Sequence, residues 1–290
     1  MTAKSFRFIA VALVVVLLGW LLPRAITERG GARPVEPTAR PIIAMPPDSL
    51  IRGRIEAEHH IGDYLIRVYA DTIEDLKVVE IQHAGRRVWS ASASGMTLRE
   101  IGRDLTGDGV PDLVVEEFSG GAHCCTVDVV LGLGESLEAH GTIDAEDGNV
   151  AFEDVDHDSI PEVRYPDFRL RYWRDYAFAE TTAPDVILRF RDGAYRPACD
   201  LMRTPAPDAA TLAKQARDLR GDWDSGDPPP DLLGYVVELV YHGHADLAWQ
   251  FLDTAWPAPI AGRAEFLRDL RAQLSHSPCW SEPPAPRPTT

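Results

Sequence analysis

Asp104-Leu105-Thr106-Gly107-Asp108-Gly109-Val110-Pro111-Asp112 and Asp154-Val155-Asp156-His157-Asp158-Ser159-Ile160-Pro161-Glu162 share one pattern, repeated at an offset of 50 residues. Oxygen-bearing side chains recur at positions 1, 3, 5 and 9, and proline holds position 8 in both copies. Calcium takes six to eight oxygen ligands at about 2.3–2.6 Å. A tight loop can supply them by turning positions 1, 3 and 5 inward and adding a backbone carbonyl from position 7 and a carboxylate from position 9. One expected site is therefore Asp104, Thr106, Asp108, the Val110 carbonyl and Asp112; the other is Asp154, Asp156, Asp158, the Ile160 carbonyl and Glu162. Leu105 and Val155 at position 2 are free to face an apolar interior, and Leu113 or Val163 begins the next strand.

Electrostatics gives the reason to expect an ion. The first loop gathers three carboxylates and the second four, and a pair about 4 Å apart repels by about 4 kcal/mol even at an effective dielectric near 20. A cation relieves that repulsion. All-oxygen ligation favours calcium over zinc or copper, which prefer imidazole and thiolate, and over magnesium, which demands near-octahedral geometry. The competing reading is a pair of solvated Asp-rich turns without metal. Neither loop is an EF-hand, because position 12, where that motif closes with Glu, is Val115 in one copy and Tyr165 in the other.

Around the loops, from Leu50 to Cys199, short β-branched and aromatic runs alternate with Gly, Asp and Pro, which is the pattern of strands. Strands are expected at 51–57, 64–70, 77–83, 86–90, 113–118, 125–131, 137–143, 149–152 and 186–191. Alternation within 64–69 and 186–191 is partial, as for strands with one buried and one wet face. From Pro205 the period becomes helical. Asp208 can cap a helix carrying Leu212, Ala216 and Leu219, and Asp231 one carrying Val236, Val237, Val240 and Tyr241. A third helix is expected from His244 to Trp256, and a fourth carrying Phe266, Leu267, Leu270 and Leu274. The turn Tyr241-His242-Gly243, followed by Ala248, Leu252 and Ala255, looks like a single tetratricopeptide-type hairpin. Such hairpins need neighbours to complete a core, so packing of these helices on the β-domain is the simpler expectation.

Residues 98–165 resemble the calcium loops of integrin-type FG-GAP and VCBS repeats, in which D-x-[DNT]-x-D-G-x-x-D connects two strands of a β-propeller blade. The first loop fits that pattern throughout; the second departs from it at Ser159 and Glu162. The resemblance implies structural ions that tie hairpins together. About 150 residues of β-region are too few for a full ring of four-stranded blades. The expected fold is α+β: a mainly antiparallel β-domain of blade-like sheets over 50–200 with two Asp-rich calcium loops, then a helical bundle over 205–280 and a Pro-rich tail over 281–290.

The amino terminus suggests a compartment. Lys4 and Arg7 precede the apolar run Phe8 to Leu22, which reads as an uncleaved single-pass anchor or a signal peptide within residues 1–32. Pro-rich residues 33–49 then form an extended tether. Basic charge ahead of the apolar run places the remainder outside the cytoplasm, on the periplasmic side of the inner membrane or secreted into the periplasm.

In that oxidising setting Cys124, Cys125, Cys199 and Cys279 allow three full pairings. The expected one joins Cys124 to Cys125 and Cys199 to Cys279. The string Gly120-Gly121-Ala122-His123-Cys124-Cys125 also resembles a motif of bacterial exported proteins with VCBS-like loops, a likeness that implies no activity.

The chain has 290 residues, 45% of them hydrophobic, and a net charge of −16. Nucleic acid is a poor partner for such a surface, since binding a polyanion needs clustered Lys and Arg; cations are natural ones. The aromatic and arginine run Phe168 to Trp173 reads more simply as core packing than as a ligand platform. His59-His60 and the pair His242 and His244 read as surface or cap residues. No nucleophile elbow, zinc-protease motif or phosphate loop is present. The expected function is therefore a calcium-binding protein with a structural or protein-binding role in the cell envelope. The alternatives are an exported hydrolase with no discernible active site and a thiol redox protein using Cys124 and Cys125.

Overall fold

β-Branched runs form three consecutive four-stranded antiparallel meanders in the computed structural model, which describes residues 51, 53–71, 75–121, 125–224, 226–256 and 261–280. The first sheet is β1 (Arg54–Ile61), β2 (Tyr64–Asp71), β3 (Leu76–His83) and β4 (Arg86–Ala93). The second is β5 (Gly95–Arg99), β6 (Asp112–Phe118), β7 (Thr126–Leu133) and β8 (Leu137–Glu146). The third is β9 (Ala151–Glu153), β10 (Glu162–Pro166), β11 (Asp185–Arg191) and β12 (Ala194–Pro197). In every sheet the strands lie side by side in chain order, as blade-like meanders require. Hairpin turns follow local chemistry: Asp192 and Gly193 both take positive φ, the mirror-image turn that matches strand twist.

The middle sheet is apolar on both faces, and this positions everything else. Leu113 and Val115 of β6, with Val129, Leu131 and Leu133 of β7, meet Tyr64, Ile66, Val68, Val79 and Ile81 of the first sheet. Residues of the other parity, Val114, Val130 and Ile143, face a second core shared with Val163, Val186 and Leu188 of the third sheet and with the helices. Side chains that alternate between two cores explain why β6 and β7 read as near-continuous hydrophobic runs. Burying each such side chain stabilises the fold by about 1.5–3 kcal/mol relative to leaving it exposed.

The carboxyl-terminal part is helical: α1 (Cys199–Met202), α2 (Ala209–Arg220), α3 (Pro230–Tyr241), α4 (Ala245–Ala255) and α5 (Arg263–Leu274). Asp208 caps α2 as expected, its Oδ1 accepting from the Thr211 amide at 2.7 Å. Asp231 does not cap α3. Pro229 holds the cap position and Pro230 begins the helix, where a missing N–H costs nothing, so Asp231 falls inside the first turn. Leu232, Val236, Phe251, Leu252, Phe266 and Leu270 belong to the same core as the third sheet, so the helices pack on the β-structure. Cys199, at the start of α1, is disulfide-bonded to Cys279 beyond α5, with the two Cα atoms 5.6 Å apart.

Some elements differ from the sequence reading. β5 and β12 were not expected, since Gly95-Met96-Thr97-Leu98-Arg99 lacks alternation and Ala194-Tyr195-Arg196-Pro197 ends in proline. The four-residue α1 is too short to show a period. In 186–191, read as a strand with one buried and one wet face, Arg189 is buried. No helix among the described residues is long and apolar enough to cross a membrane; the apolar run 8–22, the tether 33–49 and the tail 281–290 lie outside them.

Candidate metal centre

Both acidic loops occupy the same place in successive sheets. Residues 104–112 lead from β5 into β6 and residues 154–162 from β9 into β10, in each case joining the first and second strands of a four-stranded meander. The first sheet makes the corresponding connection with Gly62 and Asp63 alone. The loops also adjoin each other: a Cβ built on Gly107 would come within 2.3 Å of Ile160 Cδ1.

Three of their hydrogen bonds repeat position by position. The position-1 carboxylate accepts from the position-6 amide, Asp104 Oδ2 from Gly109 at 2.8 Å and Asp154 Oδ2 from Ser159 at 3.1 Å. At position 5, Asp108 Oδ1 accepts from Val110 and Asp158 Oδ1 from Ile160, both at 2.8 Å. The position-9 acid reaches back to position 2, Asp112 Oδ2 to the Leu105 amide at 2.7 Å and Glu162 Oε2 to the Val155 amide at 3.0 Å. The local sequence thus builds the curl by folding short acidic side chains onto nearby amides. Backbone conformation repeats as well. Gly107 and Gly109 have φ of 78° and 80°, and His157 and Ser159 have 63° and 74° at the matching positions. Only the second loop places side-chain-bearing residues in the left-handed region.

The loops part company in how their inward charge is met. In the second, Arg189 of β11 enters from the neighbouring strand: its Nε donates to Glu162 Oε1 at 2.9 Å, its Nη2 to Asp156 Oδ2 at 2.5 Å and its Nη1 to Asp200 Oδ2 at 3.3 Å. Burial works against the guanidinium's charge, but its bonds to Glu162 and Asp200 hold its pKa above the ordinary value. Asp154, Asp156 and Glu162 each bring a carboxylate oxygen within 4.8 Å of the others.

In the first loop no arginine enters among the described residues. Asp112 is fully buried, and burial together with repulsion from Asp108 and Asp104 raises its pKa against the pull of the Leu105 amide and His140. Burial would likewise raise Asp104, but the amides of Gly109, Gly107, Thr106 and Asp108 outweigh it and hold that carboxyl below the ordinary value. His140 Nε2 lies 3.3 Å from Asp112 Oδ1, near enough for attraction but not aligned as a hydrogen bond. It reaches there because β7 carries Gly132, where a Cβ would come within 2.3 Å of that nitrogen.

Thr106 Oγ1, Asp112 Oδ1, His140 Nε2 and the Tyr195 hydroxyl are all buried without a hydrogen-bond partner among the described residues. Burial, then the charges of Asp112 and Asp104, push the Tyr195 hydroxyl's pKa up. Unpartnered buried polar atoms are costly, and here they gather beside one loop.

Of the acidic ligand positions expected from sequence, Asp154, Asp156 and Glu162 come together as a group of three, whereas Asp104, Asp108 and Asp112 do not converge as closely. Arg189, Gly132, His140 and Tyr195 were not expected, and nothing local marks them: each reaches its loop from another strand.

The other motifs resolve more simply. Cys125 is disulfide-bonded, and its amide donates to Ser119 Oγ at 3.1 Å; its expected partner Cys124 lies outside the described residues, with Ala122 and His123. Leu170 and Trp173 of the aromatic run pack into the core. Arg169 pairs with Asp167, Arg171 with Asp147 and Glu146, and Arg174 with Asp227 and Asp269. His244 stands at the start of α4, its Nε2 2.8 Å from the Thr204 carbonyl oxygen.

Comparison with family models, with curated proteins and with solved structures finds no match for this chain.

Proposed function

We propose that this chain is an exported calcium-binding protein, tethered to or released from the inner membrane, whose metal-stabilised β-structure serves a structural or protein-binding role in the cell envelope. The observation that carries the reading is the loop Asp104–Asp112. Its residues at positions 1, 3, 5 and 9 all offer oxygen ligands, and two of them, Thr106 Oγ1 and Asp112 Oδ1, are buried with no hydrogen-bond partner among the described residues. A hard cation would satisfy both and offset the mutual repulsion of three carboxylates. The donor set is oxygen without thiolate, with the His140 imidazole beside Asp112, which suits calcium better than zinc or copper.

Bound there, the ion would fix the turn from β5 into β6 and, through the contact between Gly107 and Ile160, the adjoining turn from β9 into β10. Cys199–Cys279 supports an oxidising compartment. Its 80-residue separation contributes about 4 kcal/mol in the chain-entropy view. The amino-terminal apolar run supports export. A chain of net charge −16 suits cationic rather than nucleic-acid partners.

The test is the melting temperature of the full chain in EGTA and in calcium. Calcium at 100 times its Kd adds about 2.7 kcal/mol of stability, so chelation should lower the melting temperature by several degrees and added calcium should restore it. Identical melting in both buffers would defeat the proposal.

A further inference from the structure

The third sheet repeats the second so closely that the two loops can be compared residue for residue, and the comparison isolates a single exchange. In the second sheet Asp112, at position 9, stands across from Gly132 of β7. In the third sheet Val163 stands across from Leu188. One step further in that register puts Arg189 beside Glu162, the position-9 acid, and the two side chains do meet there at 2.9 Å. The neighbour of the closing acid is thus glycine in one sheet and arginine in the other.

We infer that Arg189 is a tethered counter-ion that takes the place of a divalent cation in loop 154–162, so that this chain binds calcium in loop 104–112 alone. The guanidinium holds Asp156 and Glu162, two of the three residues whose oxygens converge most closely in that loop. It also satisfies the third acid in reach, Asp200 on α1. Its side chain is 11% exposed, so calcium could reach those oxygens only by driving a buried, three-way-bonded cation out into solvent or into another buried position. Breaking a buried ion pair of this kind weakens any competing binding by about a hundredfold or more. Gly132 sets up the opposite condition in loop 104–112. It brings no charge, and the room it leaves is filled by His140, which approaches Asp112 without donating a hydrogen bond.

Loop 154–162 accordingly needs no ion from solution. It keeps the curl of a calcium loop, with Ser159 where the metal-loop pattern has glycine and Glu162 where it has aspartate, and the chain itself supplies the positive charge. The exchange also links the loop to the helical part: through Asp200, the same guanidinium ties the entrance of β10 to α1, whose first residue is the disulfide-bonded Cys199.

The inference rests on the calcium reading of loop 104–112 only for the expected count of one ion. The experiment is isothermal titration of calcium chloride into the metal-stripped full chain and its variants. Wild type should bind one ion, D104N none, R189Q two, and the D104N/R189Q double variant one. A D104N protein that still takes up calcium with wild-type affinity would overturn the inference, as would a folded R189Q protein that gains no site. Should R189Q fail to fold, D104N alone decides. If wild type binds no calcium, the reading of loop 104–112 falls, yet a gain from none to one in R189Q would still establish Arg189 as the occupant of loop 154–162.

Discussion

Loops 104–112 and 154–162 are built on one backbone plan and solve the same electrostatic problem differently. Each folds its carboxylates back onto its own amides, and each closes with an acid that reaches position 2. In the first, glycines hold the two left-handed positions and two buried oxygens have no hydrogen-bond partner among the described residues. In the second, His157 and Ser159 hold those positions and an arginine from the next strand fills the centre. The lesson is that spacing of acidic residues specifies a loop's shape, whereas the charge that meets those acids depends on what the neighbouring strand brings to them.

The largest effect should come from removing the internal cation. In EGTA, R189Q leaves Glu162 buried beside Asp156 with no compensating charge, and breaking a buried pair costs about 3–5 kcal/mol. Urea unfolding should show that loss. Calcium should recover part of it in R189Q and add none at loop 154–162 in wild type.

A somewhat smaller, metal-independent effect belongs to the second sheet. Asp128 on β7 is fully buried, and burial, aided by repulsion from Glu116 and Glu100 and opposed by Arg99, pushes its pKa up to about 7. The folded state therefore keeps a proton that the unfolded chain releases near pH 4. Stability from this group is fully present below about pH 4, falls as pH rises towards 7 and is flat above, by an amount on the order of 3 kcal/mol. D128N should remove that slope, seen as a wild-type minus variant difference in urea midpoints between pH 4.5 and 7.5. A slope that survives in D128N would assign it elsewhere. Because the slope should be the same in EGTA and in calcium, it separates proton linkage from metal linkage.

The smallest effect concerns the backbone of loop 154–162. A left-handed residue other than glycine costs about 1–2 kcal/mol, partly offset by the extra freedom glycine has when unfolded. S159G and H157G should therefore each stabilise by about 0.5–1 kcal/mol, and G109S in the other loop should destabilise by a similar amount. Equal and opposite shifts in melting temperature would show that the two loops share their backbone plan in solution.

Much of this arrangement is legible in the sequence because it is local. The curl of each loop is made by side chains reaching amides two to seven residues away, so the spacing of Asp104, Asp108 and Asp112 carries it directly. Strands such as Tyr64–Asp71 announce themselves by alternation, since Tyr64, Ile66 and Val68 enter one core while Leu65, Arg67 and Tyr69 stand on the other face. Arg189 was hidden by the same rule. In Val186 to Arg191 an arginine among apolar residues reads as the wet face, and its partner Glu162 lies 27 residues away in sequence, joined only by the register of β10 with β11. Gly132 and His140 were invisible for the same reason, and Asp231 was misplaced because two consecutive prolines began the helix before it.

The distinction between the loops is tested most directly by an anomalous difference map from crystals of the full chain grown in calcium. One peak should appear, enclosed by Asp104, Thr106, Asp108 and Asp112, with the Arg189 guanidinium still between Asp156 and Glu162. An empty loop 104–112, or a second peak among Asp154, Asp156 and Glu162 with Arg189 swung away, would contradict it.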